Sequence, residues 1–461
     1  MMDFLRTFLY YVSIFYIVYL IIFATFSFFA IIVGAYRLYV DDRILKFKNK
    51  LNHDDLPISI LIPAYNESVT VVNSVNSLLN LDYQQYEIIV IDDGSEDDMA
   101  QKLIDEFGMK LMNRPINHVL VCQPEEVVYE NIVKGVNLTL IRKKNGGKGD
   151  ALNMGINASR YPYFVCMDAD SKLQTDSLKE IVAPVFEDDT TVAAGGMVLI
   201  SQCVQMENGK AVRYRLPPNL LVSIQAVEYN RSFLASRILM DTFNGNLIIS
   251  GAFGLFKKST VVAAGGYSPD NLGEDMELVL KLHGYCRNNN MEYRMCYQPS
   301  AICMTQAPTS FRDLRTQRRR WHVGLLQSMF VHRRVMFNLK FGLVSAFSYL
   351  YYLMYELVAP IIELFGILTI MLALYLDVLN IGYMIGFLVM YAIYGSIISL
   401  SAFSQQVYTQ KFRVLFSDML KTLLLCILEF AFFRYVLVVV RFIAFFRYGK
   451  NKNTWGKIKR V

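Results

Sequence analysis

Hydrophobic positions along the chain fall into four long runs and, after the first, a mixed stretch compatible with water. One run covers residues 8–36 and three lie between 341 and 446. Each is longer than the roughly 20 apolar residues that carry a helix across a hydrocarbon core. Within the mixed stretch, short β-branched segments alternate with helical patterns: 58–62, a helix over 69–79, 87–91, a helix over 98–107, 119–121, a helix over 150–158, 163–167, and a helix after Thr175. Such alternation predicts an open, mostly parallel α/β sheet. No internal repeat and no low-complexity tract interrupts it.

The first run is expected to stay in the chain as a membrane helix. It lacks a basic leading segment and a small-residue cleavage site, and Arg37, Arg43, Lys46, Lys48 and Lys50 follow it at once. By the positive-inside rule these cations put the mixed stretch in the cytosol. The later runs are less regular: 341–376 carries Glu356, Pro360 and Glu363, 381–403 is nearly uncharged, and 414–446 holds Asp418, Lys421, Glu429, Arg434 and Arg441. Ionisable groups at membrane depth are expected to face protein or a water-filled path. Three crossings would put the basic tail 450–460 outside, so one run is expected to form a hairpin or to lie partly at the interface.

Composition excludes some classes. Hydrophobic residues make up 54% and aromatics 13%, more than one soluble core needs. A net charge of +6 reads as juxtamembrane Lys and Arg meeting anionic lipid, since the soluble stretch has no basic stripe for nucleic acid. The 7 cysteines are scattered, without CxxC pairs or His at ligand spacing. They fit reduced, buried thiols better than a zinc site or a disulfide frame.

Open α/β sheets bind ligands at the carboxyl ends of their strands, and there this chain is polar. Pro63-Ala64-Tyr65-Asn66-Glu67 follows the first strand, Asp92-Asp93-Gly94-Ser95 the second, and Asp168-Ala169-Asp170 a later one. Alone, Asp92 and Asp93 read as turn chemistry, and Asn66-Glu67-Ser68 could simply start a helix. Asp168 and Asp170 are more specific. Alternate side chains of an extended segment point the same way, so the pair can face one hard cation, Mg2+ or Mn2+, shared with a diphosphate. Lys144-Asn145-Gly146-Gly147-Lys148-Gly149-Asp150-Ala151-Leu152-Asn153 brings a flexible basic turn into a helix start, a place for nucleotide phosphate or base contacts. Its spacing fails the P-loop pattern.

Gly273-Glu274-Asp275 opens a helix whose Met276, Val279, Leu280 and His283 mark a buried stripe. The two carboxylates are then left at its exposed beginning, as a helix cap or a catalytic base. Gln317-Arg318-Arg319-Arg320-Trp321 lies in a helical stretch before the membrane region. Gln317, Arg320 and Trp321 share one face, while Arg318 and Arg319 are expected to turn elsewhere. An amide, a fork-shaped cation and a flat ring together suit a diphosphate beside a sugar. The same helix can also lie in the headgroup layer, with Leu325, Leu326, Met329 and Phe330 toward lipid and Arg333 and Arg334 toward phosphates.

In this order and spacing the motifs resemble the processive family 2 glycosyltransferases, the group of the cellulose, chitin, hyaluronan and poly-N-acetylglucosamine synthases. The likeness covers 58–336 and extends to the membrane architecture. It implies a GT-A-type open, mostly parallel sheet in a cytosolic domain, joined to α-helical transmembrane and interfacial helices of a multi-pass plasma-membrane protein. The implied segments are a transmembrane helix with basic flank (1–50), the GT-A domain (51–307), an amphipathic interface region (308–340), transmembrane helices (341–446) and a basic cytosolic tail (447–461). Carried over by position, the resemblance gives Tyr65, Glu67, Asp92, Lys148 and Asp168 to the uridine side of the donor. Asp170, with Asp168, would hold the divalent metal, Mg2+ or Mn2+. Asp275 would be the general base, supported by Glu274; Gln317 and Arg320 would grip the pyrophosphate. Trp321 would stack on the acceptor sugar, beside Ser250 and Gly251.

The activity so implied is inverting transfer from a UDP-sugar to a β-linked polymer that crosses the membrane. Implied partners are the UDP-sugar, the nascent polysaccharide and the lipid bilayer, with room for accessory export or regulatory subunits and no nucleic acid. Two departures stand out. The Phe-x-Val-Thr-x-Lys gating loop of cellulose synthases is absent; instead Trp455-Gly456-Lys457-Ile458-Lys459-Arg460 resembles the tail element of hyaluronan synthases. Trp455 and Lys457 would then close over the donor, the alternative being a basic tail on headgroups. Gly273 also stands where cellulose synthases carry Thr. The GED and QRRRW forms incline the sugar toward glucose, in cellulose or a mixed-linkage β-glucan, with a poly-N-acetylglucosamine or hyaluronan type as the alternative. Rivals are single-sugar transfer to a polyprenyl phosphate and, from another class, a transporter or scaffold whose α/β domain only binds a nucleotide.

Overall fold

The computed structural model describes residues 2–48 and 56–447. Helix α1 (Met2–Lys48) precedes β1 (Ile58–Ala64), α2 (Val71–Leu78), β2 (Tyr86–Asp92), α3 (Met99–Phe107), β3 (Lys110–Met112), β4 (Glu125–Val133), β5 (Val136–Lys143), α4 (Lys148–Ala158), β6 (Tyr163–Cys166), β7 (Lys172–Leu173), α5 (Ser177–Glu187) and β8 (Thr191–Ile200). A hairpin of β9 (Val204–Glu207) and β10 (Lys210–Tyr214) comes next. Then follow α6 (Leu220–Arg231), a π-helical turn Ser232–Ser236, α7 (Arg237–Asp241), β11 (Gly254–Lys257), α8 (Lys258–Ala263), α9 (Glu274–Asn288), β12 (Arg294–Thr305) and α10 (Phe311–Val331).

The large sheet runs β3-β4-β5-β2-β1-β6-β11-β8-β12-β7. Its centre, from β5 through β2 and β1 to β6, is parallel, whereas β11 runs antiparallel between β6 and β8. Both faces are covered, so the central strands are apolar at nearly every position. Ile58, Ile60 and Ile62 enter one core with Ile88 and Val90; Leu61, Ile89 and Ile91 enter the other. The predicted strand at 119–121 is a loop. Val121 is 90% exposed and only Leu120 is buried, its amide and carbonyl both held by the Asn157 side chain. The neighbouring strands are instead the antiparallel pair β4 and β5.

Beyond α10 come α11 (Ala359–Tyr375), α12 (Ile381–Gln410), a two-residue strand β13 (Arg413–Val414), α13 (Phe416–Leu428), a π-helical turn Glu429–Phe433 and α14 (Arg434–Arg447). Among the described residues three helical stretches, Phe4–Val40, Ile381–Gln410 and Phe416–Phe446, are long and apolar enough to cross a membrane. The irregular run is 341–376: Val344–Leu357 meets Ala359–Tyr375 at a 49° bend. Pro360 stands at the start of α11, where it lacks an N–H and crowds the preceding turn. β13 pairs in parallel with β10, Tyr214 opposite Val414. The cysteines are all free and all but Cys122 are buried.

Helix α10 is less of a lipid-facing helix than its pattern suggested. Met329 is buried, and Leu325 and Leu326 pack against a core of Leu247, Met276, Leu280, Tyr349 and Leu357, leaving Phe330 exposed at 65%. The apolar side of α10 is occupied by α9 and the 344–357 segment. At the crossing two glycines meet: a Cβ on Gly324 would lie 2.5 Å from the Gly273 nitrogen, and one on Gly273 would lie 2.9 Å from the Gly324 carbonyl carbon. Gln327 Oε1 accepts from the Leu272 amide at 2.8 Å just beside them. Gly324→Val should force α10 off the start of α9, at a cost of about 1–3 kcal/mol for overpacking. Thermal unfolding in detergent checks this, and an unchanged midpoint would mean that the contact relaxes freely.

Candidate active site

Strand ends and helix starts deliver the polar side chains to one cavity of about 1120 Å³. Tyr65 and Glu67 come from the end of β1, Asp168 and Asp170 from the end of β6, Lys148 from the start of α4, Ser250 and Gly251 from the loop before β11, and Glu274 and Asp275 from the start of α9. Gln317, Arg320 and Trp321 come from α10, and all these residues line the cavity. Asp92 does not. Its carboxylate accepts from the Ser95 amide at 2.8 Å and from Arg142 at 3.2 Å, so it closes its own turn. The neighbouring Asp93 lines the cavity instead. Trp455 and Lys457 lie outside the described residues.

Lys148 is the centre of charge. Its ammonium reaches Asp168 Oδ1 at 2.7 Å and Glu274 Oε1 at 3.0 Å. Burial alone would lower its pKa, but Asp168 and Glu274 outweigh that and hold it protonated, above its ordinary value. Asp275 accepts from the amides of Met276 at 2.8 Å and Gly251 at 3.3 Å. Burial raises its carboxyl above the usual range, neighbouring Glu274 raises it further, and Lys148 opposes both. The expected exposed helix start is therefore an enclosed one: Glu274 is buried, because the 250–252 loop and Lys148 cover it. A Cβ on Gly251 would come within 2.8 Å of Lys148 Nζ, so a side chain there would push the ammonium aside.

Asp170 is buried, with Oδ1 accepting from the Ser171 and Thr305 hydroxyls at 3.3 and 3.4 Å. Among the described residues no three His, Cys, Asp or Glu side chains could hold a metal ion by themselves. The Asp168 and Asp170 pair nonetheless fits a hard divalent cation, which is commonly bound by one or two carboxylates while waters and ligand phosphates complete its shell. On α10, Gln317 Oε1 is buried with no hydrogen-bond partner among the described residues, an acceptor left for a ligand. Trp321 is 40% exposed, with the Arg318 guanidinium 4.5 Å from its ring centre. Arg318 was expected to turn away; it lines the same cavity and grips Glu228 through both nitrogens, at 2.9 and 2.8 Å. Glu228 lies on α6, and no motif marked it.

The cavity continues among the long apolar helices, where Phe23, Phe26, Tyr351, Tyr355 and Tyr394 line it. Glu363 meets Arg434 at 2.6 Å, Glu429 meets Arg231 at 2.8 Å and Glu356 meets Arg441 at 3.6 Å. The ionisable groups flagged at membrane depth are largely these. Arg231 precedes and Arg237 follows the π-helical turn 232–236; Glu429 opens and Arg434 follows the turn 429–433. Such turns insert an extra residue into a helix and gather at functional sites.

Comparisons with known proteins speak to the family and the fold. The profile of the family described as glycosyltransferase like family 2 matches residues 56–324. A poly-beta-1,6-N-acetyl-D-glucosamine synthase of Staphylococcus aureus (strain COL) is 30% identical over 298 residues, 64% of this chain and 61% of the relative. Its namesake from Staphylococcus epidermidis is 31% identical over 267 residues, 58% of this chain and 54% of the relative. The matches thus span somewhat over half the length of these curated relatives. Among solved structures, a mannosyltransferase from Pyrobaculum calidifontis, determined with GDP-Man and Mn2+, superposes with a TM-score of 0.50 at 17% identity. That superposition covers 90% of this chain and 98% of the other, a likeness of fold.

If Asp275 is the proton acceptor, activity should rise with pH through its raised pKa, because only the ionised form can take the proton. Glu274→Gln removes a charge that raises it. The acid limb of the rate profile should therefore move to lower pH, measured as nucleoside diphosphate release; a limb that stays in place would refute the coupling.

Proposed function

The chain belongs to the family 2 glycosyltransferases, and on that premise we propose that it is a processive, inverting membrane synthase. It takes a UDP-sugar in the cytosol, adds the sugar to a β-linked polysaccharide and passes the polymer across the plasma membrane. The observation that carries this reading is the single cavity joining the Asp168, Asp170 and Asp275 end to the ion-paired membrane helices. Transfer to a polyprenyl phosphate needs no such extension, and a nucleotide-binding scaffold needs no enclosed carboxylate with a raised pKa.

In this mechanism Tyr65, Glu67 and Lys148 hold the uridine side of the donor, and Gln317 and Arg320 hold its diphosphate. Asp168 and Asp170 would hold Mg2+ or Mn2+, which would supply positive charge to offset that of the departing diphosphate. The acceptor sugar lies on Trp321, its hydroxyl gives a proton to Asp275, and its oxygen attacks the anomeric carbon as the bond to UDP breaks. One displacement turns an α-linked donor into a β-linked product. The raised pKa makes Asp275 a better proton acceptor than an ordinary carboxylate. Ser250 and Gly251 border the acceptor.

The relatives support N-acetylglucosamine as the sugar, in place of the glucose toward which the GED and QRRRW forms incline. The exit path agrees with a neutral polymer, since its Arg and Glu side chains pair with one another and its rings offer faces for sugars. UDP-sugars supplied one at a time with Mg2+ or Mn2+, followed by linkage-specific hydrolases on the product, test the reading. UDP-N-acetylglucosamine should give a long β-linked product, and a single labelled lipid would defeat processivity. Asp275→Asn should lower turnover by about 10²–10⁴-fold, the usual worth of a general base, while UDP affinity by calorimetry stays near wild type. Retained polymer synthesis would remove Asp275 as the base.

A further inference from the structure

We propose that Lys143 is a positioning residue for the donor-binding turn 144–147, a role that rests on the glycosyltransferase reading of the cavity. Lys143 ends β5 with a fully enclosed side chain, at 0% exposure. Its ammonium meets Asp93 Oδ1 at 2.5 Å, Asp150 Oδ1 at 2.6 Å and the Lys144 carbonyl at 2.7 Å. The two carboxylates belong to different elements, the turn after β2 and the first turn of α4. One buried cation therefore ties three segments together.

Each carboxylate in turn holds backbone. Asp93 accepts from the Gly146 amide at 3.0 Å and the Gly147 amide at 2.8 Å, and its carbonyl accepts from the Asn145 side chain at 2.8 Å. Asp150 accepts from the Gln123 amide at 3.0 and 3.2 Å. The glycine turn is thus clasped from both sides, and Lys148, the next residue, is delivered to Asp168 and Glu274. A Cβ at Gly146 would lie 2.5 Å from the Asp150 carboxylate, which shows how closely the turn is drawn in.

The physical argument is one of charge balance. Two carboxylates sharing a buried site repel unless a cation stands between them, and a buried carboxylate without its partner takes up a proton or water. Arg142, beside Lys143, is engaged with Asp92 instead. Loss of the Lys143 charge releases Asp93 from the Gly146 and Gly147 amides, and the turn then presents Lys148 in many orientations. Such a residue touches no substrate; it acts through the turn.

The test uses the full chain in detergent, as wild type, Lys143→Met, Lys143→Arg and Asp150→Asn. UDP affinity is measured by calorimetry with Mn2+, donor KM and kcat with UDP-N-acetylglucosamine, and amide exchange over the peptide 143–150 by mass spectrometry. Lys143→Met should weaken UDP binding and raise donor KM by about tenfold, leave kcat within about threefold, and speed exchange at Gly146 and Gly147. Lys143→Arg keeps the charge and should recover UDP affinity to within about threefold of wild type. A purely structural ion pair would lower the thermal midpoint without this split between KM and kcat. A folded Lys143→Met with wild-type UDP affinity and exchange overturns the assignment. If that variant does not fold, Asp150→Asn with wild-type affinity and exchange overturns it equally. Wild-type chain that binds neither UDP nor any UDP-sugar defeats the donor reading itself, and the assignment with it.

Discussion

A largely enclosed ammonium, that of Lys148, is the interaction on which the site depends. It stands between Asp168 at the end of β6 and Glu274 at the start of α9, two segments that would otherwise hold like charges against each other in a low-dielectric wall. Removing the ammonium would leave Glu274, which is buried, without its compensating charge. The sheet brings the segments near one another; the cation makes their proximity tolerable. Asp275, one residue beyond Glu274, has a raised pKa first because it is enclosed and then because the charge of Glu274 is only partly offset by Lys148.

The apolar helical half continues the same logic. Glutamates and arginines that would be prohibitive in lipid face the cavity and neutralise one another across helices. Aromatic rings fill the space between: Phe430 lies under both Arg231 and Arg434. The result is a wall polar enough to be wetted and nearly free of net charge, continuous with the catalytic end.

Much of this was legible from the chain alone, where the physics is local. Strand ends were readable because apolar β-branched runs stop abruptly at Asp, Asn or Glu, and the site residues at 65, 67, 148, 168, 170, 274 and 275 all came from such stops or from helix starts. What escaped depends on distant partners. Asp92 and Asp93 are adjacent and chemically identical, and only the path of the 144–147 turn decides which one faces the cavity. Arg318 looked misdirected on a helical wheel, yet Glu228, 90 residues earlier, draws it in. Strand β4 was invisible because Glu125, Glu126, Glu130 and Asn131 interrupt its apolar pattern, as expected of a half-exposed antiparallel strand. The apolar side of α10 was assigned to lipid because no sequence rule announces the Gly273 and Gly324 crossing.

The two-residue strand β13 links the two halves mechanically. It sits in the short connection between α12 and α13, and it hydrogen-bonds to β10 of the β9–β10 hairpin. The catalytic domain is therefore not a body hanging from a flexible tether. The apolar helices α12 and α13 are thus joined to the α/β domain by a strand ladder as well as by the chain itself, a second tie that couples the placement of one to the other.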